Sequence, residues 1–408
     1  MLVVLAAVVV ALVVARLGSP LPTATAVLRP PPVLASASGH AGGARGTRMV
    51  VPGAAAPLPW PAQGEGAVAV PAAGLTLTSP SQQPVPVASL TKIMTAYVIL
   101  RDHPLGPTEP GPSVTMTASD EASAAHDAQI NATSVPVVAG ERLTERQLLD
   151  GLLVHSANDY ADALARWDAG TIGAFVAKMN TTAAALGMTH THFADASGID
   201  PGSTSTAADL LKVTAAAMAL PTFAVVVDQR TVVLPRAGLL TNYVQAIGTD
   251  GVVGVKSGFT EAAQGCVVLA AHRQVGSQQV LVLAAVTGQS GYGALFKADA
   301  AAEKLIDAAA GGLRHQTVVT AGARWAQIPV PWAAAPVPAT ATRRATLLVW
   351  PGDTVDVRLA ARPLAVGSPP GTVIGTLTVA DGGEQVTVPL RSTAPLQGPT
   401  LGWHLLHG

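Results

Sequence analysis

The hydrophobic positions of this chain change period several times along its length, and each change marks an element. Residues 2–15 are apolar without a break. The run is shorter than the ~20 residues a helix needs to span a bilayer, yet it suits the core of a secretory signal. Residues 1–17 therefore read as a signal peptide or N-terminal membrane anchor. No positive charge precedes the run, and the nearest small-residue cleavage pattern, Ala35-Ser36-Ala37, lies well downstream. Residues 18–55 are rich in proline, alanine, glycine and serine and hold no sustained period, which predicts a flexible linker.

Regular patterns begin after that stretch. "GAVAV" (66–70) and "GLTLTS" (74–79), separated by Pro71, predict a hairpin. "PVASLTKIMTAYVIL" (86–100) predicts a buried helix opening at Ser89. In "LTERQLLDGLLVHSANDYADALARW", Thr144 and Gln147 have capping-box spacing, and Leu148, Leu149, Leu152 and Leu153 share one helical face. Two helices meet at residues 155–158, and a third predicted helix covers 172–186 with Gly187 as its stop. Short apolar runs return at 231–235, 251–259, 265–273 and 278–288, the last three as successive antiparallel strands, and 298–310 predicts a covering helix. Strands at both ends enclosing a helical middle make one mixed α/β domain. After Gly312 the period falls to two around turns such as Asp381-Gly382-Gly383, which predicts a small all-β domain over 313–397 and a tail at 398–408.

Composition narrows the function classes. Lysine and arginine number 24 against 25 aspartates and glutamates in 408 residues, so no basic footprint for nucleic acid exists. The single cysteine, Cys266, excludes an intramolecular disulfide and a cysteine-based metal cluster, and its apolar neighbours make it a buried structural thiol.

Three short motifs carry the candidate chemistry. Ser89 and Lys92 are three residues apart, so on a helix they project about 60° apart around the axis. A serine hydroxyl becomes a nucleophile when a neighbour takes its proton, and a lysine can do so when burial or nearby cations lower its pKa. "HSAND" places Ser156 and Asn158 between helices, where a hydroxyl can relay a proton and an amide can hold a substrate amide. "GVKSGFT" places Lys256 and Ser257 on a strand, where a cation and a hydroxyl can receive a carboxylate, and Gly258 leaves room for a substrate along the strand edge. Taken singly, the first two have plain structural alternatives: a helix cap with a surface lysine, and a second helix cap.

In this order, 67 and 100 residues apart, the motifs resemble those of the serine penicillin-recognising enzymes: Ser-x-x-Lys, Ser-x-Asn, Lys-Thr/Ser-Gly. With "LLDGLLVHSANDYADALA", "FVAKMNTTAAALGMTHTHFADASGID", "STAADLLKV" and "GVKSGFTEAAQGCVVLAA", the chain is most similar to the low-molecular-mass D-alanyl-D-alanine carboxypeptidases, serine peptidases of the S11 type. The resemblance implies an α/β serine β-lactamase/D,D-peptidase-like domain over 56–312, an antiparallel sheet with flanking helices and a helical subdomain, followed by a β-sandwich-like domain. It implies that Ser89 attacks the D-Ala-D-Ala carbonyl, Lys92 is the base, Ser156 relays a proton to the leaving amine, Asn158 holds the substrate amide and Lys256 tunes the electrostatics. Ser257 with Lys256 would bind the terminal carboxylate beside Gly258, and the N–H groups of Ser89 and Phe259 would form the oxyanion hole.

The partners implied are peptidoglycan stem peptides ending in D-Ala-D-Ala and β-lactams as covalent inhibitors, with no cofactor and no metal. The place implied is the cell envelope outside the cytoplasm, secreted or held at the membrane by the N-terminus. Departures are small. Ser257 stands where threonine is commoner and Ala157 where glycine is commoner, and "LGWHLLHG" is too short for the family's amphipathic C-terminal membrane helix. A β-lactamase is disfavoured because no Glu-x-x-Leu-Asn follows Asn158 before Lys256. A catalytically silent wall-binding homologue stays open, as do transpeptidation and endopeptidase action. His190 and His192 lack an acidic partner at ligand spacing. Asn131 heads a glycosylation sequon by composition only, and Asp195 and Asp200, near glycines, read as turn residues.

Overall fold

The computed structural model describes residues 2–31, 35–36 and 46–407. The chain forms two compact units, one made of 56–312 and the other of 1–55 together with 313–408.

The first unit is built on a five-stranded antiparallel sheet in the order Val252–Thr260, Gln264–Val275, Gln278–Gln289, Glu65–Val70, Leu75–Thr78. Its long strands are apolar on both faces, and Val267 to Ala271 are fully buried, because helices cover both sides. The helix Ala294–Gly312 packs on Gln264–Val275 and Gln278–Gln289, while Ala207–Met218 packs across Gln278–Gln289 and Glu65–Val70. The expected hairpin at 66–79 and the three successive antiparallel strands are present.

In sequence between the strands Leu75–Thr78 and Val252–Thr260 the chain builds a helical layer centred on Thr91–Asp102. This helix is buried around most of its circumference, as a central helix must be. Glu145–Leu153, Asn158–Ala169 and Ile172–Ala185 surround it. Thr144 and Gln147 close the expected capping box, the Thr144 side chain accepting from the Gln147 N–H at 3.2 Å and Gln147 Oε1 from the Thr144 N–H at 2.9 Å. One start differs from expectation. Ser89 lies in a 3-10 turn, Ala88–Leu90, and the α-helix begins at Thr91. Ala88 sits at φ +47°, a left-handed conformation that stops the helix from running back through the serine.

One buried group on the covering helix carries a stability prediction. Burial pushes the Asp299 carboxyl up to about 7, helped by Glu303 and opposed by the Gln245 backbone N–H. Between about pH 4 and 7 the folded chain holds this proton while the unfolded chain has lost it, so stability falls as pH rises through that window. Asp299→Asn is expected to stabilise the protein by on the order of 2 kcal/mol at pH 8 and by little at pH 4, read from denaturant midpoints at the two pH values. An equal gain at both would remove titration as the cause.

The second unit is an eight-stranded antiparallel sheet ordered Val27–Leu28, Arg324–Ile328, Val337–Ala341, Gln385–Ser392, Val373–Ala380, Thr354–Ala361, Gly46–Val50, Ala35–Ser36, with a separate pair formed by Arg314–Val319 and Ala345–Val349. Asp381 accepts from the N–H groups of Gly383 and Glu384 in the turn its sequence predicted.

The linker expected over 18–55 is corrected here. Val27 and Leu28 pair with Gln327 and Ala326, and residues 46–50 pair with 354–358. Ala24, Ala26, Leu28, Met49 and Val51 are buried in this unit's core. The period-two signal at 24, 26 and 28 is carried mostly by alanine, too weak to stand out from its surroundings. The partner strands lie about 300 residues away, so nothing local supplies the register. The remaining linker residues, 32–34 and 37–45, lie outside the described residues. The N-terminal apolar run is a helix, Leu2–Leu17, and the Arg16 guanidinium donates to the Leu405 carbonyl of the short helix Leu401–His407. Among the described residues no single helix is long and apolar enough to cross a membrane.

Candidate active site

Ser89 lies in the turn that feeds the central helix, and Lys92 lies in that helix's first turn. Lys92 is fully buried, and its Nζ donates to Ser89 Oγ at 3.0 Å, to Asn158 Oδ1 at 2.5 Å and to the Ser197 carbonyl at 2.7 Å. Burial lowers its pKa to about 7 against the opposing pull of Asp195, Asp127, Asp162 and Asp159. Near neutrality a large fraction of Lys92 is therefore an amine able to accept the Ser89 proton.

Asn158 opens the helix Asn158–Ala169, and its backbone N–H donates to the Thr133 carbonyl at 2.9 Å. Ser156, two residues earlier, is buried and adopts φ +65°. A non-glycine residue in the left-handed region costs roughly 1–2 kcal/mol. This turn between two helices places Ser156 on the cleft that Ser89 lines and Asn158 on Lys92.

The strand Val252–Thr260 is an edge of the sheet, and its outer side packs on the Ala88–Leu90 turn. Gly258 makes this approach feasible: a Cβ there would stand 2.8 Å from the Ser89 backbone nitrogen and 3.1 Å from the Ala88 Cβ. Lys256 is fully buried and donates to the Ser257 carbonyl at 3.0 Å. Burial, reinforced by the charge on Lys92, holds its pKa well below the usual lysine range.

Ser89, Ser156, Ser257, Gly258 and Phe259 line one cleft of about 240 Å³. Thr133, Tyr243 and Leu295 complete its walls. Those three, and the Ser197 carbonyl, escaped the motif reading. Ser197 contributes a backbone oxygen, which no side chain announces. The loop presenting it is organised by Asp195, which accepts from Ser197 Oγ at 2.8 Å, Ser203 Oγ at 2.6 Å and the N–H groups of Gly198, Ile199 and Asp200. Asp195 and Asp200 thus serve turns, Asp200 accepting from the Gly202 N–H at 2.8 Å. Tyr243 is stacked on His155, ring centroids 5.3 Å apart.

The other singled-out residues lie elsewhere. The backbone of His192 pairs with Thr204, the His190 N–H donates to Asp209, and Cys266 is buried in its strand with its thiol pushed up to about 11. Asn131 follows the helix Ala118–Gln129 at φ +55°.

An α/β domain carrying such a site, followed by a β-rich domain, is the architecture of the low-molecular-mass penicillin-binding proteins. The crystal structure of penicillin binding protein 5 from Haemophilus influenzae superposes with a TM-score of 0.61 over 85% of this chain and 100% of that one, at 21% identity. The Streptomyces K15 DD-transpeptidase matches with a TM-score of 0.54 over 62% of this chain and 98% of its own, at 29% identity. Residues 71–288 match the family model for D-alanyl-D-alanine carboxypeptidase, peptidase S11. The chain belongs to that family. It is 38% identical over 195 residues to the D-alanyl-D-alanine carboxypeptidase DacB2 of Mycobacterium tuberculosis, a match that spans 46% of this chain and 62% of the relative.

Proposed function

We propose that this chain is a serine D-Ala-D-Ala carboxypeptidase that trims peptidoglycan stem peptides outside the cytoplasm. The observation that carries the reading is the buried Lys92 amine, with a pKa of about 7, hydrogen-bonded at 3.0 Å to a serine hydroxyl that opens onto a cleft.

In this reading Lys92 Nζ takes the Ser89 proton as Oγ bonds to the carbonyl carbon of the penultimate D-alanine. The negative charge developing on the carbonyl oxygen is received by the Ser89 and Phe259 N–H groups, which the close strand packing at Gly258 holds together. The C–N bond then breaks. The proton passes through Ser156 to the departing amine, and D-alanine leaves. Water, deprotonated by the Lys92 amine, attacks the ester carbonyl, and the C–O bond to Ser89 breaks as Lys92 returns the proton to Oγ, which regenerates Ser89.

Asn158 Oδ1 is occupied by Lys92, which leaves its Nδ2 hydrogens for a substrate carbonyl. Ser257, with the Lys256 side chain next to it donating to its carbonyl, receives the terminal carboxylate. Every group in the scheme is a side chain or backbone amide, so it calls for no cofactor and no metal. β-Lactams would acylate the same oxygen. The apolar helix Leu2–Leu17 suits an export signal or N-terminal membrane anchor.

The test is D-alanine release from a peptide ending in D-Ala-D-Ala, alongside the mass of the protein after exposure to benzylpenicillin, for the parent and Ser89→Ala. Release and a covalent adduct with the parent alone are expected. An adduct without release would move the reading to a transpeptidase or crosslink-cleaving enzyme, and absence of both would leave a silent wall-binding homologue.

A further inference from the structure

Phenylalanine, tyrosine and tryptophan make up only 4% of the chain, and most are at least partly buried. Among the described residues the exposed ones are four: Tyr243, Phe259, Tyr292 and Phe296. They are not scattered. Tyr243 and Phe259 line the Ser89 cleft, while Tyr292 and Phe296 lie three residues before and one residue after Leu295, which lines it too. Tyr292 is fully exposed, at 102% of its reference area, between Gly291 and Gly293, both left-handed at φ +81° and +70°.

The segment is anchored on either side of the ring. Lys297 Nζ donates to the Ser290 carbonyl at 2.9 Å, Ser290 Oγ donates to Gln63 Oε1 at 2.8 Å, and Gln289 Nε2 donates to the Gln63 carbonyl at 2.5 Å. A bare aromatic ring held out on an anchored loop beside a cleft loses hydrophobic stabilisation in the free protein, and exposed apolar surface at such a place suits a binding site.

We propose that this aromatic rim is a saccharide-binding subsite that grips the sugar rings carrying the stem peptide. The proposal rests on the carboxypeptidase reading of the cleft. A cleft of about 240 Å³ admits only the reacting end of a substrate, and Val252–Thr260, an edge strand that lends Ser257, Gly258 and Phe259 to the cleft, can hydrogen-bond an extended peptide there. What lies further from the scissile bond extends beyond the cleft, whose walls include Tyr243, Phe259 and Leu295. The cleft lining adds no charged side chain, and the loop around Tyr292 supplies glycine and serine. Flat rings among small polar residues suit a pyranose, whose C–H face can stack on an aromatic ring while its hydroxyls stay in water.

The experiment compares kcat/KM for D-alanine release from two probes: an N-acylated pentapeptide ending in D-Ala-D-Ala, and the same peptide carried on an N-acetylglucosamine–N-acetylmuramic acid disaccharide. Tyr292→Ser and Phe296→Ser are each expected to lower the ratio of the disaccharide probe to the free probe by about 3- to 10-fold. Val233→Ser, an exposed apolar position on another hairpin, should leave the ratio unchanged. Binding of tetra-N-acetylglucosamine to the Ser89→Ala chain, followed by NMR, gives a readout independent of turnover and should weaken in the same two variants. If the parent releases D-alanine from neither probe yet binds the tetrasaccharide through Tyr292, the saccharide subsite stands and the carboxypeptidase reading falls. If ratio and binding are both unmoved by the substitutions, the proposal is overturned. The same holds if the substitutions abolish binding to phosphatidylglycerol vesicles instead.

Discussion

Replacing Lys92 by methionine should slow acylation of Ser89 by benzylpenicillin about 10³-fold or more, with D-alanine release falling in step. Methionine keeps the length and the apolar stem in a fully buried position, so what it removes is the proton acceptor. Lys92 alone donates to Ser89 Oγ among the hydrogen bonds of the described residues, and the other lysine of the site, Lys256, donates to the Ser257 carbonyl instead. The pH profile separates loss of the base from a general disturbance. In the parent the acylation rate should rise about tenfold per unit below pH 7 and level off above it, following the Lys92 pKa of about 7. In Lys92→Met that limb should vanish. If the limb survives, another group is the base.

The same group leaves a mark on stability. Its folded pKa lies below its unfolded value, so between about pH 7 and 10.5 the unfolded chain binds more protons and stability rises with pH. Lys92→Met should flatten that slope.

Gly258→Val should cut the second-order acylation rate about 10²-fold or more while the fold survives. The added Cβ would meet the Ser89 nitrogen at 2.8 Å, the Ala88 Cβ at 3.1 Å and the Leu90 nitrogen at 3.3 Å, so its neighbours are mostly backbone, which cannot rotate out of the way. Either the edge strand or the Ala88–Leu90 turn must shift, and both carry oxyanion-hole donors in the proposed mechanism. Overpacking of this kind costs typically 1–3 kcal/mol, so a modest fall in Tm should accompany the kinetic loss. Gly258→Ala should fall between parent and valine. A valine variant that acylates at the parental rate would show that the close approach does not position the nucleophile.

What the sequence disclosed follows from how local each feature is. Ser89 with Lys92, Ser156 with Asn158, and Lys256 through Phe259 are each contained in a few consecutive residues, so their spacing is visible on the page. Tyr243, Leu295 and Thr133 reach the cleft from three separate segments, and only tertiary folding brings them there. Ser197 acts through its carbonyl, which every residue type has. The same logic holds for the fold. The long strands 252–289 are neighbours in sequence and announce themselves by apolar runs, whereas residues 46–50 take their register from a strand 300 residues on. The 3-10 turn at Ser89 was hidden for a different reason: the apolar pattern runs straight through it, and the break depends on the backbone of Ala88.

That long-range pairing bears on how the molecule is made. During synthesis residues 46–50 emerge early, but their partners at 354–358 come some 300 residues later. The unit of 56–312 has all its own strands in hand before then and can complete its sheet first, while the sheet that joins strands of 27–50 to strands of 324–392 closes last. Throughout that interval the early strands hold unpaired backbone edges, the surfaces on which nascent chains aggregate or exchange segments with one another. The Pro-, Gly- and Ala-rich composition around them, poor in the residues that favour β-structure, limits that hazard while the chain waits.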